Sequence, residues 1–412
     1  MGTILQTGES QHLESPIMLT LAQRAIITAT VPLLETGGEV LTTHFYKTML
    51  AEYPEVRPLF NQAHQASGAQ PRALANGVLM YARNIDRLEA LGPLAGQIVN
   101  KHVALQIQPE HYPIVGACLL RAIREVLGAE IATDAVTDAW GAAYQQLAEI
   151  LIAAEREAYD ALAQSPGGWR GARSFIVARK VPESAEVTSF YLTPQDGKSV
   201  VDFKPGQYIG MLLTIDGAEV RRNYSLSQAA DGRGYRVSVK REPNGVASNH
   251  LHDAVHEGDV IALFPPAGAF ALDDSSKPLV LISGGVGITP TLAMAQATLA
   301  GTARPVVFIH YARSAQTHAF HKLVRDWAAA FPQFQSFVVY EHTDDAAPRQ
   351  PDAIGRPNLA HLEQWLPADR DVDAYFLGPK PFMRAMKTAL RLAGVPDAQA
   401  RYEFFGPAEA LA

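Results

Sequence analysis

The spacing of apolar residues changes period twice along this chain of 412 residues, so three architectures follow one another and no single repeating fold fits. From about residue 18 to 164 the apolar positions recur at three-to-four spacing: Leu21, Ile26, Ile27, Leu33 and Leu34, then Val40, Leu41, Phe45, Tyr46, Met49 and Leu50. That spacing puts them on one face of a helix. Pro54, Pro58, Ser67-Gly68, Gly92-Pro93, Pro109 and Gly128 punctuate the stretch into roughly six to eight helices. The last is long, with Trp140, Tyr144, Leu147 and Leu151 on one face and Glu155 and Tyr159 a turn apart near its end.

After the linker Ser165–Trp169 the period becomes two. In YRVSVKRE, Tyr235, Val237 and Val239 alternate with Arg236, Ser238 and Lys240, and QYIGMLLTI and VTSFYLT read the same way. Turn signals at Asp196-Gly197, Asp216-Gly217 and Asp231-Gly232 space these strands as in a small antiparallel barrel over 169–275. From Lys277 the apolar runs become continuous: PLVLIS, PVVFIHY, FQSFVVY, DAYFLG and ARYEFFG. Such runs, separated by helical segments, mark a parallel sheet buried on both faces. The expected order is an all-α domain (18–164), an antiparallel barrel (169–275) and an α/β domain (276–412). Residues 1–17 are polar and aperiodic, an extension expected to be disordered, or to precede a native start at Met18.

Composition narrows the function. A net charge of −7, from 35 basic and 42 acidic residues with no basic run, leaves no footprint for nucleic acid or an anionic membrane. The single cysteine, Cys118, excludes an internal disulfide and any cysteine-held iron–sulfur or zinc centre, so redox chemistry here must use an imported cofactor. No Lys or Arg precedes Arg24, there is no compact apolar signal core and no run of membrane-spanning length, so a cytoplasmic protein without an integral membrane segment is expected.

Four short motifs carry chemistry. SGGVGITP (Ser283–Pro290) follows the strand PLVLI and opens a helix. Gly284, Gly285 and Gly287 let backbone approach a phosphate, Thr289 can cap, and Pro290 suits a first helical turn. Taken alone it is equally a plain tight turn. RNYS (Arg222, Asn223, Tyr224, Ser225) pairs a guanidinium with an aromatic ring and a hydroxyl, or is an ordinary strand end. Gly245–Ser248 ends a loop and starts a helix, leaving N–H groups for an anion. GPKPFM (Gly378–Met383) is a second strand-to-helix turn at a parallel strand's carboxyl end, where such sheets bind ligands.

Together, in this order over about 240 residues, these motifs resemble the ferredoxin-reductase-like flavoproteins. The resemblance implies that Arg222 meets the FAD pyrophosphate, with Asn223 beside it. Tyr224 would stack on the isoalloxazine, Ser225 would lie near flavin N5, and Tyr208 would help hold the ring. It also assigns Gly245 and Ser248 to cofactor binding. Gly285, Val286, Gly287, Ile288, Thr289 and Pro290, with Gly378 and Pro379, would hold the nicotinamide nucleotide. Phe404, Phe405, Gly406 and Pro407 in YEFFGP would cover the flavin. Leu377 stands where many relatives have cysteine, which implies altered nicotinamide positioning and retained activity.

In the helical half, Tyr46, Phe60, Gln70, Leu74 and His102 read singly as core aromatics and a structural histidine. Their arrangement resembles a globin, and a globin joined to this reductase resembles the flavohaemoglobin family, from about residue 18 to the C-terminus. The resemblance implies haem b ligated by His102, Phe60 wedged against the haem, and Tyr46, Gln70 and Leu74 lining the distal pocket. Tyr112 and Glu155 would pair with the proximal histidine, and Lys101 would lie at the haem edge or simply face solvent. A single axial imidazole leaves one iron position for O2, to which Tyr46 can donate a hydrogen bond, with Gln70 as a second donor.

The implied activity is nitric oxide dioxygenase: NAD(P)H reduces FAD, FAD reduces the haem, and NO and O2 become nitrate, a detoxification that answers nitrosative stress. The alternatives are a flavin/haem reductase using ferric, quinone or peroxide acceptors, a haem-based oxygen carrier or gas sensor, and a reductase fused to a helical interaction domain. The protein is expected to act as a monomer. NADH and NADPH stay undecided, since Arg313 and Ser314 after PVVFIHY suit a 2′-phosphate or an ordinary loop equally.

Overall fold

Thr20 opens the first helix, α1 (Leu21–Glu52), with a reciprocal cap: its hydroxyl accepts from the Gln23 N–H at 3.2 Å while Gln23 Oε1 accepts from the Thr20 N–H at 2.9 Å. The computed structural model describes residues 18–60, 65, 68–343 and 350–405. The expectations placed on residues 1–17, Ser67, Gly406 and Pro407 lie outside them. α1 continues through Pro32 and Gly37-Gly38, and Gly38 faces Ala75 of the next helix at van der Waals distance.

Among the described residues the helical half continues with α2 (Ala69–Arg83), α3 (Gly92–Leu105), α4 (His111–Leu127) and α5 (Asp134–Gln164). Pro93 opens α3 and Gly128 follows the end of α4, as the punctuation predicts, and the Thr133 side chain caps α5. Ile27, Leu41, Phe45, Met49, Val56, Tyr81, Leu119, Ile123 and Trp140 form its core. Two tight contacts aim α4. A Cβ on Gly116 would lie 2.5 Å from the Tyr144 ring, and the Tyr144 hydroxyl donates to the Tyr112 carbonyl at 2.6 Å.

Six antiparallel strands follow: β1 (Arg173–Pro182), β2 (Val187–Pro194), β3 (Tyr208–Ile215), β4 (Ala218–Ser225), β5 (Tyr235–Lys240) and β6 (Val260–Leu263). They pair in the order β4-β3-β6-β1-β2-β5, and a bridge from Leu226 to Val237 joins the two edges into a barrel. Asp216-Gly217 connects β3 to β4 with both residues at positive φ, the two-residue hairpin turn that strand twist favours. A short helix, α6 (Val246–Asp253), packs Ala247 and Leu251 into the barrel core.

The last unit is a parallel sheet ordered β10-β9-β8-β7-β11-β12. Its strands are β7 (Leu279–Gly284), β8 (Val306–Ala312), β9 (Phe334–Tyr340), β10 (Ala353–Ile354), β11 (Asp373–Leu377) and β12 (Ala400–Tyr402). The crossovers carry α7 (Ile288–Gly301), α8 (His321–Ala330), α9 (Leu359–Trp365) and α10 (Lys380–Leu392). From β7 the chain builds outward through β8, β9 and β10, then returns to place β11 on the other side. The switch point therefore falls between β7 and β11, where a crevice opens at the strands' carboxyl ends. No helix among the described residues is long and apolar enough to cross a membrane.

Candidate functional site

His102 sits in the last turn of α3, and its Nδ1 lies 2.6 Å from Glu155 Oε1, carried by α5. The same oxygen accepts from the Tyr112 hydroxyl of α4 at 2.6 Å, and that hydroxyl is 3.2 Å from His102 Nδ1. Three helices thus bring one imidazole, one phenol and one carboxylate to a point. Glu155 is only 2% exposed, and a carboxylate so buried is held by charge-assisted hydrogen bonds. Burial, reinforced by Glu155, pushes the Tyr112 phenol well above its ordinary range, so it stays a donor. With Nδ1–H directed at the carboxylate, Nε2 is the nitrogen that keeps a lone pair. The ring remains 30% exposed beside the buried Val103 and Ala104. An oriented imidazole with an open Nε2 suits a haem iron.

On the other wall, Tyr46 of α1 is buried, packed edge-on against Phe60 with ring centroids 5.5 Å apart. Its hydroxyl shares a hydrogen bond with the Gln70 side chain, and burial raises its pKa far above that of a free phenol. Gln70 lies in the first turn of α2, and Leu74 follows one turn later, half-buried against the helical core. Tyr46 thus meets Phe60 and Gln70, with Phe60 and Leu74 packed against the same helical core.

The barrel presents β3 and β4 as a hairpin in which Tyr208 pairs with Ser225, Ile209 with Tyr224, Gly210 with Asn223 and Met211 with Arg222. Arg222 and Tyr224 share one strand face and Asn223 and Ser225 the other. Tyr208 is buried, and both it and Lys101 of α3 feel the charge of Glu403, which follows β12. Glu403 is pushed up to about 7 by burial, opposed by Lys101. Helical half, barrel and sheet thus each place one of three electrostatically linked side chains. Glu403 escapes sequence reasoning because its only signal is a charge inside an apolar run. Ser248 is turned into its own loop, its hydroxyl accepting from the Glu242 N–H at 3.2 Å, with Gly245 packed against it. Phe404 meets Tyr402 edge-on, and Phe405 is exposed.

At the crevice, Gly285 has φ +55°, and a Cβ on Gly287 would overlap the Leu377 carbonyl. A Cβ on Gly378 would come 2.5 Å from the Phe382 ring. The turn after β7 can lie this close to the end of β11 because position 287 is glycine, and Gly378 makes room for the Phe382 ring of its own turn. Thr289 donates to the Val286 carbonyl at 3.0 Å, and Ile288 and Pro290 are buried in the start of α7. Pro379 precedes α10. Leu377 points into the core with Leu281, Ile288 and Leu292. Below the turn, Ser283 bonds His310 Nδ1 at 2.8 Å. Burial pushes His310 down to about 3. Arg313 forms an ion pair with Glu186, and the Ser314 N–H is taken by Thr317 Oγ1 at 3.1 Å, so neither stands free.

Three family models match in the same order: Globin over residues 43–151, Oxidoreductase FAD-binding domain over 174–272 and Oxidoreductase NAD-binding domain over 281–388. The chain is 66% identical over 397 residues to a flavohemoprotein of Burkholderia sp. (strain TH2), covering 96% of this chain and 100% of the relative. It is 64% identical over 394 residues to the flavohemoprotein of Pseudomonas aeruginosa, with the same coverage. Among solved structures, the flavohemoglobin of Malassezia yamatoensis with bound FAD and heme superposes with a TM-score of 0.82 at 27% identity, over 94% of this chain and all of that one. The FAD/NAD-binding domain of the nitric oxide dioxygenase of Vibrio cholerae matches 58% of this chain and 100% of its own, at 38% identity and a TM-score of 0.53.

Proposed function

The chain belongs to the flavohemoprotein family, a globin joined to an FAD- and NAD-binding oxidoreductase, and on that premise we propose that it is a cytoplasmic, monomeric nitric oxide dioxygenase. Two NO and two O2 are converted to two nitrates for each NAD(P)H oxidised, a balance that also releases one proton. Bound haem, FAD and NAD(P)H supply an iron centre for the diatomic gases, a two-to-one electron converter and a hydride. The name of the Vibrio cholerae relative supports this reading.

The observation that carries it is the pairing of an anionic proximal wall with a neutral, proton-donating distal wall in one chain with a flavin–nucleotide module. His102 holds the iron through Nε2. Glu155, accepting from Nδ1, makes the imidazole a stronger electron donor, which favours activating O2 over storing it. Tyr112 satisfies the same carboxylate and fixes its direction. On the distal side Tyr46 keeps its proton at any physiological pH and presents a donor where oxygen gathers negative charge. Gln70 steadies that hydroxyl, Phe60 and Leu74 would keep the distal side dry, and Lys101, next to His102, would lie at the haem edge.

Arg222, with Asn223, Gly245 and Ser248, holds the flavin's pyrophosphate arm, while Tyr208, Tyr224 and Ser225 hold its ring. Phe404 and Phe405 cover it, with Gly406 and Pro407 next in sequence. Gly285, Val286, Gly287, Ile288, Thr289 and Pro290 cradle the nicotinamide nucleotide against Gly378 and Pro379, using backbone N–H groups at the start of α7.

The test is NO consumption by the purified holoprotein with NAD(P)H. Nitrate should form only when O2 is present. NAD(P)H oxidation without nitrate would assign the protein to ferric, quinone or peroxide reduction, and O2 binding without turnover to carriage or sensing.

A further inference from the structure

The last carbonyls of a helix lack partners within it and carry its partial negative charge. At the end of α3, one turn beyond His102, most of them are satisfied locally. The Ile107 N–H takes the His102 carbonyl at 2.9 Å, the Gln106 N–H takes that of Val103 at 3.1 Å, and the Tyr159 hydroxyl adds a bond to His102 at 3.3 Å. The Leu105 carbonyl is bound instead from the barrel, by an Nη of Arg221 at 2.7 Å.

Arg221 lies in β4 immediately before the RNYS segment. Its side chain is 20% exposed, its guanidinium sits 5.1 Å over the Phe264 ring, and its Nε is buried without a hydrogen-bond partner. The plane of the group is set by packing, so the bond to Leu105 is aimed and not one of many rotamers. On the neighbouring strand, Gly210 admits the same helix end: a Cβ there would lie 2.6 Å from the Ala104 carbonyl. Val103 and Ala104 close an apolar seam with Tyr159, Tyr208 and Ala267 around the contact.

We propose that Arg221 is a positioning residue that locks the haem-ligand helix onto the flavin-binding strand and so sets the rate of electron transfer from flavin to haem. The proposal rests on haem at His102 and flavin on β4. In the step concerned, reduced flavin loses one electron and ferric haem iron gains it. One hydrogen bond thus ties a carbonyl three residues from His102 to a side chain one residue from Arg222, and so couples the two sites.

Arg221→Met keeps the stem and removes the donors. In anaerobic stopped-flow with NADH, flavin reduction in the holoprotein should keep its rate while haem reduction slows several-fold. Hydrogen exchange at the amides of residues 105–107 should speed up, with or without cofactors bound. Arg221→Lys should recover part of the rate, and Gly210→Ala should reproduce the slowing with Arg221 intact. Haem reduction as fast as in the parent overturns the proposal, as does an equal slowing of flavin and haem reduction in both the Met and Lys variants. Absence of a Soret band in the parent would instead sink the haem assignment itself.

Discussion

The glycine-rich turn after β7 and the cluster of His102, Tyr112 and Glu155 are built on opposite plans. Ser283–Pro290 is eight consecutive residues whose backbone makes the site, whereas His102, Tyr112 and Glu155 come from three helices, with Glu155 separated by 53 positions from the histidine it holds. A backbone site needs residues that permit a path, and a side-chain site needs residues that converge. The first writes itself locally, and the second exists only after packing.

The largest separation of the two should come from His102→Ala. It should abolish the Soret band and NO turnover while FAD content and flavin reduction by NADH persist. Loss of both halves together would mean that the sites are not independent. Next is Gly287→Ala, where a methyl group would press on the Leu377 carbonyl with no flexible side chain to yield. NADH-dependent flavin reduction should fall on the order of 10²-fold with the haem spectrum unchanged. An unaltered rate would show that the close approach of the two turns does not matter.

Glu155→Gln sharpens the contrast from the other side, because shape is kept and only charge is lost. Turnover should fall roughly 10-fold to 100-fold and the iron–histidine stretching frequency should drop, while flavin reduction is unaffected. A frequency equal to the parent's would remove Glu155 from the proximal role.

The smallest effect vanishes at neutral pH. His310 is held neutral by burial, with its folded pKa lowered from 6.5 to about 3. The unfolded chain therefore binds a proton that the folded one refuses. Stability is intact above pH 6.5 and lost as pH falls toward 3, at about 1.4 kcal/mol per pH unit from this residue. His310→Gln should flatten the decline of unfolding free energy below pH 6.5, measured by denaturant titration. An identical slope would exclude His310 as an acid-sensitive point.

Much of the fold was legible because each period has a local cause. Three-to-four spacing, alternation and unbroken apolar runs each match one way of burying a face, and the three family models follow in the expected order. What was not legible was who meets whom. Glu155 read alone is a solvated helix residue, yet α4 and α5 carry it into contact with His102 and Tyr112. Glu403 and Arg221 gave no usable signal, because their meaning lies in the junctions with Lys101 and Leu105. Gly287 was legible as glycine, but its reason is a carbonyl 90 residues later.

The sequence by itself determined the three architectures, their order and that any redox chemistry must use an imported cofactor, because periodicity, turn chemistry and a single cysteine are local or countable properties. Only the tertiary structure decided that an imidazole on α3 faces a buried carboxylate, that Tyr46 and Gln70 share a hydrogen bond, and that an arginine of the barrel binds the last turn of the helix carrying His102. Those are distances between residues far apart in the chain, and only the packing of the folded chain sets them.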